Sequence, residues 1–429
     1  MRATRFACVA LMGVALTMVP RPALAQTAEQ AQTIQQQIDQ LRKEFGDRLA
    51  ALEAQLAAIQ GAQPAPPLAP PAPSPTTAEV PSGAAGAVPL PVYGAATAGA
   101  KVFNPDIGMI GNFIGGIGPT KGGSETLAPI PAATLQESEL SLQAIIDPYA
   151  RGDFFLAIGE EGIEVEEGYV SFPALPGGLL VKAGKMRANF GRLNAFHNHT
   201  LPWIDRPLVM YNLLGGSAAD PDTGIKDAGV SVSRLIPAGK VFVEATGEVF
   251  RGDSGTVFTS RRRSDVSTIG HLRSYLDLTE ATNLEGAVSF SRGHNDAGGL
   301  TRLYGTDVTL RWRPLARAIY HSFTARTELI WSQREEPRVV QRAFGLYGSL
   351  DYQFARRWFG GVRYDRAERG REASILDKGG SAVLTFWPSE FSQVRGQYRR
   401  MRFGEDGRVA NELLFQLLFT MGAHGAHSF

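Results

Sequence analysis

From about residue 100 onward, apolar and polar residues alternate with a period of two. In Asn411 to Gly422 the odd positions are Leu413, Phe415, Leu417, Phe419 and Met421, while the even ones include Glu412, Gln416 and Thr420. Val308, Leu310 and Trp312 likewise alternate with Asp307, Thr309 and Arg311, and Val394, Gly396 and Tyr398 with Gln393, Arg395, Gln397 and Arg399. Alternation sustained over about ten residues predicts strands with one apolar and one polar face, as in a transmembrane barrel or a large antiparallel β protein. Turn-like links fall at Pro173 to Gly178, Ile236 to Gly239, Thr279 to Thr282, Pro314 to Ala318, Ala355 to Arg357 and Pro388 to Glu390. Longer polar links are expected at Gly252 to Gly270 and Arg334 to Arg342. Short links alternating with long ones mark an outer-membrane barrel, with tight periplasmic turns and longer outer loops. The expectation is an all-β, antiparallel transmembrane β-barrel over 101–429, of about 16 strands each about 9 to 11 residues long. The Gly/Pro-rich segment 102–135 leaves room for two strands more or fewer. Trp312, Trp331, Trp358, Trp387 and Tyr398 are placed for an interfacial aromatic girdle.

Before the barrel the period is different. Ile34, Ile38, Leu41, Phe45, Leu49, Leu52, Leu56 and Ile59 follow one another at steps of three and four. That spacing predicts an α-helical coiled coil over 26–63 that joins copies of the chain, a homotrimer in the first instance; a lone amphipathic helix lying on the barrel is the alternative. Ten prolines between Pro64 and Pro91 exclude helix and sheet there, so 64–100 reads as a linker. Arg2 and Arg5 precede the apolar run Phe6 to Val19, which ends before Ala23-Leu24-Ala25. Residues 1–25 are expected to be a secretory signal peptide, and the N-terminal helix would then stand in the periplasm of a Gram-negative cell, below the outer membrane.

Composition narrows the chemistry. Lysine plus arginine, 43, balances aspartate plus glutamate, 42, so the excess positive charge of a nucleic-acid binder is missing. The one cysteine, Cys8, lies in the predicted signal peptide, which leaves the exported chain without thiol chemistry. No nucleophile elbow, phosphate-binding loop, zinc-protease helix or dinucleotide fingerprint stands in a supporting context, so neither an enzyme nor a cofactor is expected.

The longest link, Arg187 to Lys226, is far longer than a hairpin needs, and such loops are usually functional. It is expected to fold into the lumen as a constriction carrying Arg187, Phe190, Arg192, Phe196, Trp203, Asp205 and Arg206. Lying over the mouth, or packing on a neighbouring protomer, is the alternative. His197 and His199, with Asp205 nearby, form an incomplete metal-ligand set. Arg273, Arg311, Arg326, Arg363, Arg395 and Arg399 fall on the inferred inward face, as do Glu328 and several other carboxylates, and opposed acidic and basic walls are expected. Passive diffusion of small polar solutes, small organic anions among them, follows from a polar lumen. Zinc-linked uptake, or a scaffold or adhesin without an open pore, are the competing readings.

Ala183-Gly184-Lys185-Met186-Arg187-Ala188-Asn189-Phe190-Gly191, Leu201-Pro202-Trp203-Ile204-Asp205-Arg206-Pro207 and Trp387-Pro388-Ser389-Glu390-Phe391 carry a resemblance. With the helix, linker and barrel, the chain resembles coiled-coil-bearing outer-membrane porins of the phosphate-selective porin O/P type. It is also similar to an uncharacterised group of such proteins, some labelled zinc-regulated outer-membrane receptors. The resemblance implies a 16-stranded trimeric barrel in contact with outer-membrane lipid and lipopolysaccharide. It does not carry over phosphate selectivity, because only seven lysines follow residue 100.

Overall fold

The alternating segments fold as strands, and the two faces separate as the pattern requires. In the computed structural model the chain divides into two units, Met1–Gly86 and Ala87–Phe429. The structure describes residues 105–118, 130–159, 162–215 and 224–422, together with Gln40 and Lys43. In the first unit Gln40 and Lys43 are helical and exposed. The expected signal peptide, the linker and the rest of the 26–63 helix lie outside the described residues.

Among the described residues of the second unit, the strands are β1 (Asp106–Ile117), β2 (Thr134–Asp147), β3 (Ala150–Gly159), β4 (Gly162–Leu175), β5 (Leu179–Arg187) and β6 (Lys226–Ala238). They continue as β7 (Val241–Phe250), β8 (Ser267–Thr279), β9 (Thr282–His294), β10 (Leu300–Trp312) and β11 (Ser322–Glu335). The last five are β12 (Val340–Ala355), β13 (Trp358–Glu368), β14 (Leu376–Ser389), β15 (Ser392–Arg402) and β16 (Val409–Gly422). Each pairs antiparallel with its sequence neighbours, and β1 pairs with β16, from Gly108 opposite Gly422 to Ile117 opposite Leu413. Closure leaves no open edge, so every strand finds its ladder partners within the sheet. The Gly-rich start of the barrel is a strand because its glycines make room for aromatic rings. A Cβ on Gly111 would lie 2.2 Å from the ring of Phe419 on β16.

The outward face is apolar: Val362, Leu384, Val394, Leu413, Leu417 and Met421 are exposed, whereas Leu414 and Leu418 turn inward and are buried. Trp312, Trp331 and Trp358 are also partly exposed, Trp358 stacked on Phe386 near the turn end and Trp331 against Phe344 toward the other end. Trp387 departs from the expected girdle. The β14–β15 register shifts between Phe386 and Ser389, and Trp387 lines a luminal cleft.

At one end the strands are joined by tight links at 148–149, 176–178, 239–240, 280–281, 356–357 and 390–391, with a longer one at 313–321. The opposite end carries 251–266, 295–299, 336–339, 369–375 and 403–408, and the segment 188–225. Two expected long links are shorter than the polar composition suggested, because β8 starts at Ser267 and β11 and β12 run to Glu335 and from Val340. Polar residues there belong to strands that continue past the apolar belt, which is why β12 reaches 16 residues instead of about 11.

Candidate functional site

The described residues of the long segment between β5 and β6, 188–215 and 224–225, lie inside the barrel. Two 3₁₀ turns, Leu193–Ala195 and Asn198–Thr200, lead to a short helix α1 (Leu208–Leu213), begun by Pro207, whose fixed φ suits a helix start. Phe190, Leu193, Trp203, Leu208, Val209, Met210 and Leu214 are buried. They join inward residues of the wall, Leu303, Ile330, Tyr347, Ala367 and Met401, in one apolar core. The inner wall is therefore not uniformly polar. Period-2 alternation separates inside from outside, and an apolar inner patch interrupts the expected contrast where a segment packs on it.

Buried ion pairs tie the segment to opposite sides of the wall. Asp205 Oδ1 accepts from Arg363 Nη2 at 3.0 Å and Gln397 Nε2 at 2.7 Å, and Oδ2 from Arg399 Nη1 at 2.7 Å. Arg363 also donates to Asp205 O at 2.9 Å and to Asp365, and Arg399 to Glu412. Burial opposes ionisation of Asp205, but the Arg363 and Arg399 guanidiniums prevail and hold its carboxyl down at about 2.

Arg192 pairs with Glu285 at 2.7 Å, and Glu285 also receives Arg311 at 2.9 Å. Beside it Gly191 N–H donates to Ser289 Oγ at 2.8 Å, and Leu193 N–H reaches Glu328 at 3.4 Å. Gly191 has φ +59°, and a Cβ there would lie 1.8 Å from Glu328 Oε1, so both conformation and space demand glycine. Arg206 faces inward into its own segment, donating to Asn198 Oδ1 at 2.6 Å, Leu193 O at 3.2 Å and Phe196 O at 2.5 Å. Phe196 is exposed, with the Arg192 guanidinium 5.5 Å from its ring.

The expected grouping of His197, His199 and Asp205 does not form. Asp205 is held by arginines of β13 and β15, while His197 sits among carboxylates of β2 and β4. His197 Nδ1 lies 2.8 Å from Glu139 Oε2 and 3.0 Å from Glu166 Oε2, and Nε2 lies 2.7 Å from Glu167 Oε1. Burial disfavours the charged ring, but the facing Glu139, Glu166 and Glu167 override it and hold the imidazole's pKa well above its ordinary value. His199 Nδ1 is 3.5 Å from Glu139. Arg187 is likewise engaged, 2.7 Å from Glu166.

These pairings correct the picture of opposed acidic and basic walls. Arginines and carboxylates are interleaved and joined directly, as in Arg273–Glu244, Arg326–Asp351 and Arg363–Asp365. Sequence reading missed Glu137, Glu139, Glu166 and Glu167. Glu137 and Glu139 stand two apart and so share a face, a signal that was available. Glu166 and Glu167 are adjacent, and alternation puts them on opposite faces. A register shift between Phe155 and Leu156 leaves Glu166 as the extra residue, and both Glu166 and Glu167 are buried.

Between the segment and the tight-turn end is a cleft of about 170 Å³, lined by Thr200 and Pro202 from the segment and by Arg326, Asp351, Thr385 and Arg395 from the wall. Arg395 is buried, 4% exposed, and donates to Thr385 Oγ1 at 3.1 Å, Trp203 O at 3.1 Å and Gln416 Oε1 at 2.8 Å, all neutral acceptors.

No family model matches the chain. It is 28% identical over 387 residues to an uncharacterised protein of Aquifex aeolicus, covering 77% of this chain and 81% of that one. Among solved structures it is similar to an anion-selective porin from Comamonas acidovorans, TM-score 0.50 at 9% identity over 74% of this chain and 98% of that one. It is equally similar to OprB of Pseudomonas putida, TM-score 0.50 at 9% identity over 75% and 95%. The fold is that of the outer-membrane porins. Within this porin fold the long segment between β5 and β6 is bonded to β2, β4, β7, β9, β11, β13 and β15 by the contacts of His197, Asn189, Arg192, Leu193 and Asp205.

Acid should loosen this arrangement. A carboxyl held at about 2, below the ordinary aspartate value of 3.8, contributes docking stability that is complete above about pH 4 and is lost as pH falls through 2. The contribution is about 2 kcal/mol. Single-channel recordings stepped from pH 6 to pH 2.5 should show conductance rising mostly below pH 4.

Proposed function

We propose that this chain is an outer-membrane porin through which small polar solutes, small organic anions in particular, diffuse passively past the 188–225 constriction. The role is transport without catalysis and without a cofactor. The observation that carries it is Arg395, a buried guanidinium bonded only to neutral acceptors beside a polar cleft. Such a cation attracts carboxylates and adds bidentate geometry that favours them. Arg326 stands in the same cleft with its charge engaged by Asp351. Arg187, Arg192 and Arg206 serve another purpose, since their donors hold the segment in place. The exposed apolar belt supports contact with outer-membrane lipid and lipopolysaccharide. Self-association as a homotrimer through the 26–63 helix belongs to the same reading.

Arg395→Gln should shift the planar-bilayer reversal potential toward cations and reduce small-carboxylate flux into liposomes severalfold. An unchanged reversal potential would remove Arg395 from the permeation path. A wild-type barrel that carries no current would favour the closed scaffold, a reading that the apolar packing of α1 against the wall lends weight to.

A further inference from the structure

We propose that the junction of the 188–225 segment with β2 and β4 is a binding site for a divalent first-row cation, held by Glu137, Glu139, Glu166 and His197. One ligand atom from each of these four lies within 4.8 Å of the others. Zinc–nitrogen and zinc–oxygen bonds of about 2.0–2.2 Å put ligands about 3.4 Å apart in a tetrahedron, so small side-chain rotations close the set. One imidazole with carboxylates is a donor set for a borderline cation and less suited to calcium, which takes six to eight oxygens.

A second observation is a shortage of donors at one of these carboxylates. Glu139 is 2% exposed, and its Oε2 carries no hydrogen bond. It lies 2.8 Å from His197 Nδ1 and competes for the single proton of that nitrogen with Glu166 Oε2 at 3.0 Å. Glu167 occupies the other ring nitrogen at 2.7 Å. The ring thus has fewer protons than the oxygens converging on it. A buried carboxylate oxygen without a donor is costly, and a cation that displaces the Nδ1 proton to solvent and sits between Glu139, Glu166 and Nδ1 removes that cost. Because His197 belongs to the segment and the three glutamates to the wall, the cation would pin one to the other, opposite the Asp205 tie. Glu167 and Arg187, already bonded to His197 and Glu166, fix the ligands from behind.

Binding is measured on the detergent-solubilised full-length chain, so the result does not depend on whether the barrel conducts. Isothermal titration with ZnCl₂ and MnCl₂ should show one ion per chain, and CaCl₂ at the same concentrations should bind at least tenfold more weakly. Glu139→Gln should lower Zn²⁺ affinity at least tenfold while heat-modifiable gel migration is retained. If Glu139→Gln does not yield a heat-modifiable barrel, His197→Gln, carried on the inserted segment instead of the sheet, is read in its place. Absence of saturable Zn²⁺ or Mn²⁺ binding, or binding unaltered in the folded variant, would overturn the proposal.

Discussion

Asp205→Ala is expected to release the 188–225 segment from the far wall and to raise single-channel conductance severalfold. The variant leaves Arg363 and Arg399 facing each other in a buried space, each still bonded to a second carboxylate, Asp365 and Glu412 respectively. Removing one member of a buried pair costs about 3–5 kcal/mol, because the partner charge stays desolvated. By contrast the Arg273–Glu244 pair lies in a partly exposed setting where such a pair contributes about 0–1 kcal/mol. The effect of Asp205→Ala should therefore dwarf that of Glu244→Ala in the same recordings. The barrel itself should survive, since its ladders do not include Asp205, and heat-modifiable migration checks that. Conductance equal to wild type would mean that the apolar contacts alone hold the segment.

The second large effect is expected from those contacts. Trp203 is fully buried, packed edge-on against Tyr347 with ring centres 5.6 Å apart, and the Arg363 guanidinium lies 4.9 Å from its ring. Trp203→Ala should cost about 3–5 kcal/mol of docking through lost burial and the cavity left behind. Its backbone carbonyl also receives Arg395, so a displaced Trp203 frees that guanidinium. Current through Trp203→Ala should be larger and noisier, and intrinsic fluorescence should lose the contribution of a rigid buried indole. Trp203→Phe, which keeps an aromatic body in the same place, should restore most of the docking. Quiet, wild-type current through the alanine variant would contradict an anchoring role.

Much of this architecture is legible along the chain because each strand has a lipid side and a luminal side. Leu413 and Leu417 against Glu412 and Gln416 announce β16, and the alternating segment Asn411 to Gly422 ends with the strand while the strand starts two residues earlier, at Val409. Glycine-rich β1 was less distinct, since its glycines matter through the rings of β16, some three hundred residues away. The length of Arg187 to Lys226 marked the segment, and burial of Phe190, Trp203 and Arg206 agrees with insertion. Partner choice was not legible. Asp205 is eight residues from His197, yet it bonds to strands at the other end of the chain, and adjacency pointed to the wrong set. Glu166 escaped because a register irregularity cannot be read from alternation. Arg395 stood in the sequence among other inward arginines, and only its neutral surroundings distinguish it.

The pairing of β1 with β16 has a consequence for how the chain reaches its native state. The ladder that closes the barrel joins residues separated by nearly the whole domain, a contact of very high sequence separation that gives no reward until both ends exist. The inserted segment adds a second requirement of the same kind, since its ion pairs reach from β2 and β4 to β13 and β15. Half a barrel could neither satisfy its edges nor cover the apolar face of 188–225. A truncated chain ending before β13 is therefore expected to present an open sheet and an unplaced apolar segment, a substrate for chaperones and proteases and not a smaller channel.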